Sequence, residues 1–245
     1  MNDLLRSLVE AYGPSGFEDA LRDLIRPLVE PHADDISVDA MGNLLVHKGT
    51  AAEGALKVMI AAHIDEIGVM VTHITEKGFL RFTNIGGVMP HTLLGNRVRF
   101  ADGTIGVIGV DHSDDRGAVQ PLSKHFIDVG ATGREDCPVR VGDAAGFDRA
   151  FVARGNHLTA KSMDDRIGCY VAIEALRRLP ADMAHDVTFV FSVQEEVGTR
   201  GAEAAANRIL PDVGIALDVT RTGDVPEAKA MSVSLGDGPA IKVRD

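Results

Sequence analysis

From residue 2 to 11 the apolar positions Leu4, Leu5, Leu8 and Val9 recur at helical spacing. "GPSG" breaks the run. Ser15 with Glu18 three residues on has the form of a capping box, opening a second helix to about Val29. "DDISVDAMGNLLVHKG" reads as two short strands around a Met-Gly-Asn turn. "LKVMIAAHID" is an apolar run of strand length, suited to the middle of a sheet.

The texture changes between about residues 66 and 156, which hold 14 of the 26 glycines. Apolar runs there are short, as in "IGVMVTHI", "GFLRFTNIGG", "NRVRFADG", "TIGVIGV" and "HFIDVG". Short strands punctuated by glycine predict an all-β, barrel-like insert. After it, helix and strand alternate. "DDRIGCYVAIEALRRL" is expected to be a helix with apolar positions at Ile167, Val171, Ala175, Leu176 and Leu179, an acidic first turn and a basic last turn. "DVTFVFSV" reads as a strand, "GTRGAEAAANRI" as a helix and "VGIALDVT" as another strand. The expected class is therefore α/β: a mostly parallel sheet flanked by helices, interrupted by the β insert. That divides the chain into residues 1–65, 66–156 and 157–245.

Composition narrows the function classes. A net charge of −11 argues against nucleic acid as a partner. Two cysteines, Cys137 and Cys169, are too few for a disulfide framework and fit a reducing compartment. No apolar run approaches the roughly 20 residues needed to span a bilayer. These features predict a cytoplasmic protein without a membrane partner.

In open α/β sheets, functional groups gather beyond the C-terminal ends of the strands. His63 and Asp65 follow "KVMIAA", Glu195 and Glu196 follow "TFVFSVQ", and Asp218 follows "VGIAL". Asp164 and Asp165 open the helix after the insert. Any one of these has a bland explanation as a cap or a solvated corner; together at one sheet edge they point to a metal site. Paired divalent ions need a carboxylate that binds both, and a further carboxylate outside the ligand set can act as base. Of Glu195 and Glu196, one can ligate while the other takes protons, provided the strand has ended and the chain turns. His63 and Asp65, two apart on a strand, share a face, so the carboxylate can orient the imidazole.

The ordered motifs "YGPSGFE", "DAMGNLLVHKG", "AAHIDEIGVMV", "LLGNRVRF", "LTAKSMDDRIGCY", "SVQEEVGTRGA", "LDVT" and "LGDGPAIKVRD" resemble the M42 family of metallo-aminopeptidases, over essentially the whole chain. The resemblance implies that His63 and Glu196 ligate one metal, Asp164 bridges, and Asp218 ligates the other metal. It makes Glu195 the catalytic base and Asp65 the partner that orients His63. It implies two divalent ions per subunit, zinc or cobalt with manganese as a further option, and peptide substrates cleaved at a free N-terminus. The family's sheet is of the zinc-peptidase type, and its β insert mediates dimerisation within homo-oligomers up to a dodecamer.

The family also places a last metal-binding His beyond "GPAIKVRD", whereas all nine histidines here precede Asp218. The resemblance therefore implies either a fragment, with activity impaired or lost, or a second metal held differently, with His157 as a substitute. The loop "DHSDDRGAVQPLSKH", with His112, Asp114 and Asp115, departs from the family and is expected to be a solvated loop. The carboxylate pair also suits a glycoside hydrolase, but a chain with no Trp and two Tyr lacks the aromatic surfaces that usually stack on sugars.

Overall fold

The computed structural model of the chain describes residues 2–50, 52–115, 117–227 and 233–242, so the last three residues of "GPAIKVRD" lie outside the described residues. Two helices, α1 (Asn2–Glu10) and α2 (Asp19–Val29), precede the strands β1 (Asp35–Val38), β2 (Leu44–Lys48) and β3 (Lys57–His63). Six strands follow: β4 (Gly68–Ile74), β5 (Leu80–Ile85), β6 (Arg97–Phe100), β7 (Ile105–Val110), β8 (His125–Asp128) and β9 (Ala144–Phe147). A hairpin of β10 (Val152–Arg154) and β11 (His157–Thr159) leads into α3 (Met163–Arg178). The chain then forms β12 (Asp186–Ser192), α4 (Arg200–Ile209) and β13 (Val213–Ala216).

Five strands make one sheet in the order β1-β2-β12-β3-β13. It is mixed: β3 pairs in parallel with β12 and β13, while β2 pairs antiparallel with β1 and β12. Helices α2 and α3 cover one face, where Phe189 and Phe191 of β12 pack with Ile25, Cys169 and Ile173. Helix α4 covers the other, where Val190 meets Met59 and Ala205. That two-sided burial is why β12 reads as a continuous apolar run rather than an alternating one. The remaining six strands close into a barrel, β4-β5-β8-β7-β6-β9, around Val69, Phe82, Val98, Phe100 and Ile127.

Two sequence expectations are corrected. Ser15 does not cap α2, which starts after Glu18 with no side-chain cap. The Ser15 hydroxyl donates instead to Asp65, and Glu18 Oε1 accepts from the Gly16 and Gln194 amides at 2.7 and 3.1 Å. Helix α3 buries a broader stripe than the one expected: Leu176 is buried and Ile167, Ala175 and Leu179 pack against the core, but Asp165, Gly168, Cys169, Ala172 and Ile173 also face inward, and Val171 is exposed. Small residues let α3 lie close against β3, which a count of large apolar side chains overlooks.

Candidate metal centre

Strands β3 and β12 run in parallel register, with Ser192 beside His63, so both chains leave the sheet at one edge. β3 delivers His63, Ile64 and Asp65 there. β12 ends at Ser192, and the backbone turns at Gln194 with φ 56° before Glu195 and Glu196. Regular strand alternation has stopped, so both glutamates can approach one site. Glu195 Nα and Glu196 Nα donate to the two Asp65 oxygens at 2.9 and 3.1 Å.

Asp65 is fully buried and accepts from Ser15 as well. Burial pushes its carboxyl up, but His63, Ser15 and the Glu195 amide together hold it below the usual range. It is the fastening between the end of β3 and the Glu-Glu turn.

His63 is 3% exposed, with Nε2 2.9 Å from Asp164 Oδ1 and 3.8 Å from Glu195 Oε2. Its Nδ1 lies 3.3 Å from Asp65 Oδ1, but out of hydrogen-bond alignment, leaving a buried ring nitrogen unsatisfied. Burial works against a charge on His63, yet Asp164 and Asp65 outweigh it and push the imidazole up to about 11.

Asp164 and Asp165 do not sit in a regular first helical turn: their ψ angles are 103° and 39°, and a cis peptide joins them. Their side chains take different surroundings. Asp164 is more than half exposed and faces His63, whereas buried Asp165 accepts from the His63 amide at 3.3 Å and the Gly168 amide at 3.0 Å. Cys169 Sγ donates to the His63 carbonyl at 3.1 Å.

Ligand atoms of His63, Asp164 and Glu196 lie within 4.8 Å of one another, and so do those of His63, Asp165 and Asp218. The structure thus gathers His63, Asp65, Asp164, Asp165, Glu195, Glu196 and Asp218 around this edge, but His63 is common to both groups, and Asp218 stands with Asp165 rather than with Asp164. Asp165 was visible in the sequence only as half of an acidic pair; its role as the staple of β3 to α3 depends on a partner 102 residues away. His157 lies exposed in the β10–β11 hairpin, and His112 is exposed beside Asp114 at 3.7 Å. Neither joins a group of three donors among the described residues.

The acids destabilise one another's charges. Burial first and Asp164 second push Glu196 up to about 7. Burial, reinforced by Asp218 against the opposing pull of His63, pushes Asp165 up to about 8. Glu195 is raised mainly by its burial. Carboxylates with mutually repelling charges around a shared imidazole, one of whose buried ring nitrogens is unsatisfied, form a donor set that fits a divalent cation.

The family model for M42 glutamyl aminopeptidase matches residues 42–245. The chain belongs to that family. A relative from Acetivibrio thermocellus is 44% identical over 248 residues, covering 100% of this chain and 74% of the relative. The aminopeptidase APDkam598 from the archaeon Desulfurococcus kamchatkensis superposes with a TM-score of 0.90 at 42% identity, over 97% of this chain and 68% of that one. The TET1 peptidase of Pyrococcus horikoshii, which can assemble into a tetrahedron or a large octahedral shell, superposes at 0.82 with 34% identity, over 92% of this chain and 72% of that one. The helix-flanked sheet with an inserted barrel is the M42 architecture. No helix among the described residues is long and apolar enough to cross a membrane.

Proposed function

We propose that this M42 chain is a metal-dependent aminopeptidase that removes residues from the free N-terminus of peptides. The observation that carries the reading is the meeting of His63, Asp164 and Glu196 at the edge where β3 and β12 end, with the Glu195 carboxylate alongside. His63 and Glu196 would hold one divalent ion, Asp218 the other, and Asp164 both. Zinc or cobalt suits the donors best, and manganese is compatible. Bound there, the ions would supply Lewis-acid polarisation of the scissile carbonyl and a lowered pKa for the attacking water.

Glu195 is the proton carrier in this reading: its Oε2 accepts the water proton and returns one to the leaving amine. Its raised pKa suits both halves of that exchange. Asp65 acts through its partners, holding the Glu195 and Glu196 amides and flanking the His63 ring. A cavity of about 540 Å³ opens beside Asp164 and Glu196, with Ile67, Met89, Phe147 and Met163 in its wall. It would admit the side chain of the residue being removed.

The chain is proposed to act in the cytoplasm, in keeping with its unpaired Cys137 and Cys169, and as a homo-oligomer joined through the barrel. Exposed Met89, Leu94 and Val119 on that domain favour such a contact. The grouping of Asp218 with Asp165 favours a second reading, in which one ion is held tightly and turnover is slow. Metal titration separates the two readings, at about two ions per chain against one.

Glu195→Gln tests the chemistry. The variant should bind metal like the parent and lose about 10²- to 10⁴-fold in kcat, the range for a positioned acid–base group. Parental turnover in Glu195→Gln would remove the base from this account.

A further inference from the structure

The chain passes between sheet and barrel twice, leaving through Asp65–Ile67 after β3 and returning through Ala160–Ser162 before α3. One carboxylate, Glu66, ties these crossings together. It is 2% exposed. Glu66 Oε2 accepts from Lys161 Nζ at 2.6 Å and from the Ser162 hydroxyl, while Oε1 accepts from the Gly13 amide at 3.1 Å. Lys161 is itself buried and donates to the Ala11 carbonyl at 3.1 Å. A second buried cation, Arg166, stands 3.8 Å from Glu66 and donates to the carbonyls of Leu8, Ala11 and Gly13. The barrel is shaped around this cluster: a Cβ at Gly146 of β9 would lie 2.8 Å from Glu66 Oε1.

None of these groups belongs to the metal-binding set, yet each adjoins it in the chain. Glu66 follows Asp65 directly. Ser162, held with φ 54°, is two residues before Asp164, whose neighbouring backbone is also irregular. Asp164 therefore faces His63 from a first turn whose backbone angles are not helical, closed by the Arg166 amide donating to the Ser162 carbonyl at 3.1 Å. The bonds from Ser162 and Lys161 to Glu66 tie this turn down on the side that leads to Asp164.

We propose that Glu66, Lys161 and Ser162 form a positioning cluster that sets Asp164 against His63 and so tunes the metal affinity of the site. The inference rests on the metal-site reading above. It adds residues that act on the metal through its ligands, and that also line the cavity beside Asp164. Partners of this kind typically contribute 10- to 100-fold to metal affinity.

The test is Co²⁺ binding to the whole chain, measured by competition with a chromogenic chelator, with thermal melting as the check on folding. Folded Lys161→Met and Glu66→Gln should each bind Co²⁺ about 10-fold or more weakly than the parent. Lys161→Arg, which keeps the cation, should recover most of the loss. On a peptide substrate, Lys161→Met should lower kcat and change KM as well, because Lys161 also lines the cavity beside Asp164, and Lys161→Arg should restore kcat together with Co²⁺ affinity. If removing the buried charge prevents folding, Ser162→Ala, which deletes one hydroxyl, is judged by the same loss of affinity. Co²⁺ affinities within about twofold of the parent in folded variants would overturn the proposal, leaving the cluster a domain fastening only. A parent chain that binds no Co²⁺ would overturn the metal-site reading and this inference together.

Discussion

At the residue scale, the unequal environments of neighbouring acids carry most of the argument. Glu195 and Glu196 are adjacent, yet the first lies 3.8 Å from His63 and the second shares a donor group with His63 and Asp164. Asp65 makes that division hold, because its two oxygens accept from both glutamate amides. Asp65→Asn places an amide NH₂ where one of those N–H groups or the Ser15 hydroxyl now donates. The variant should bind Co²⁺ about 10- to 100-fold more weakly while remaining folded, and unchanged affinity would show that the turn holds its shape unaided. The sequence pattern pointed to His63, Asp65 and the Glu pair because each follows an apolar run that had to be a strand. It was silent on Glu66 and Lys161, whose meaning lies in contacts 95 residues apart. It also misdirected Ser15, whose local spacing to Glu18 suggested a cap while its true partner is 50 residues downstream.

At the scale of elements, the contact between α3 and β3 decides whether Asp164 and His63 meet. Gly168 and Cys169 let the helix approach, and Asp165 bonds across it to the His63 amide. A Cβ at Gly168 would fall within 2.6 Å of all three carboxylate atoms of Asp165. Gly168→Ala should therefore cost about 1–3 kcal/mol in urea unfolding despite alanine's better helix propensity. A stabilised Gly168→Ala protein would mean that the α3–β3 contact is looser than described. The order of the sheet elements and the barrel-like character of the insert were readable from period and punctuation, but β9, whose short "AAGF" closes the barrel, and the β10–β11 hairpin carried too little apolar signal to be named. The inward face of α3 was readable only in part, since glycine, cysteine and alanine bury without a strong hydrophobic signature, while exposed Val171 resembles a core residue.

At the scale of the whole molecule, the clustered acids make stability depend on pH and on cations. Glu196 near 7, Asp165 near 8 and His63 near 11 all have folded-state pKa values above their ordinary ones. Between about pH 4.5 and 8 the folded, metal-free chain thus binds more protons than the unfolded chain at these sites, so their contribution to stability is greatest at the acid end and falls as pH rises. Thermal melting of chelator-treated protein should show this fall. Added Zn²⁺ or Co²⁺ should raise the melting temperature most at the alkaline end, where the ligands give up protons at least cost. A metal-free melting temperature that climbs steadily from pH 5 to 8 would contradict the assigned environments.

The central claim is that this edge of the sheet, loaded with metal, removes residues from a free N-terminus. The most direct measurement follows a short peptide and its N-acetylated twin by mass spectrometry, with chelator-treated protein before and after addition of Zn²⁺ or Co²⁺. The account predicts stepwise loss of N-terminal residues from the free peptide only after metal is added, and none from the acetylated one. Metal-loaded protein that leaves both peptides intact, or cleaves both alike at internal bonds, would contradict it.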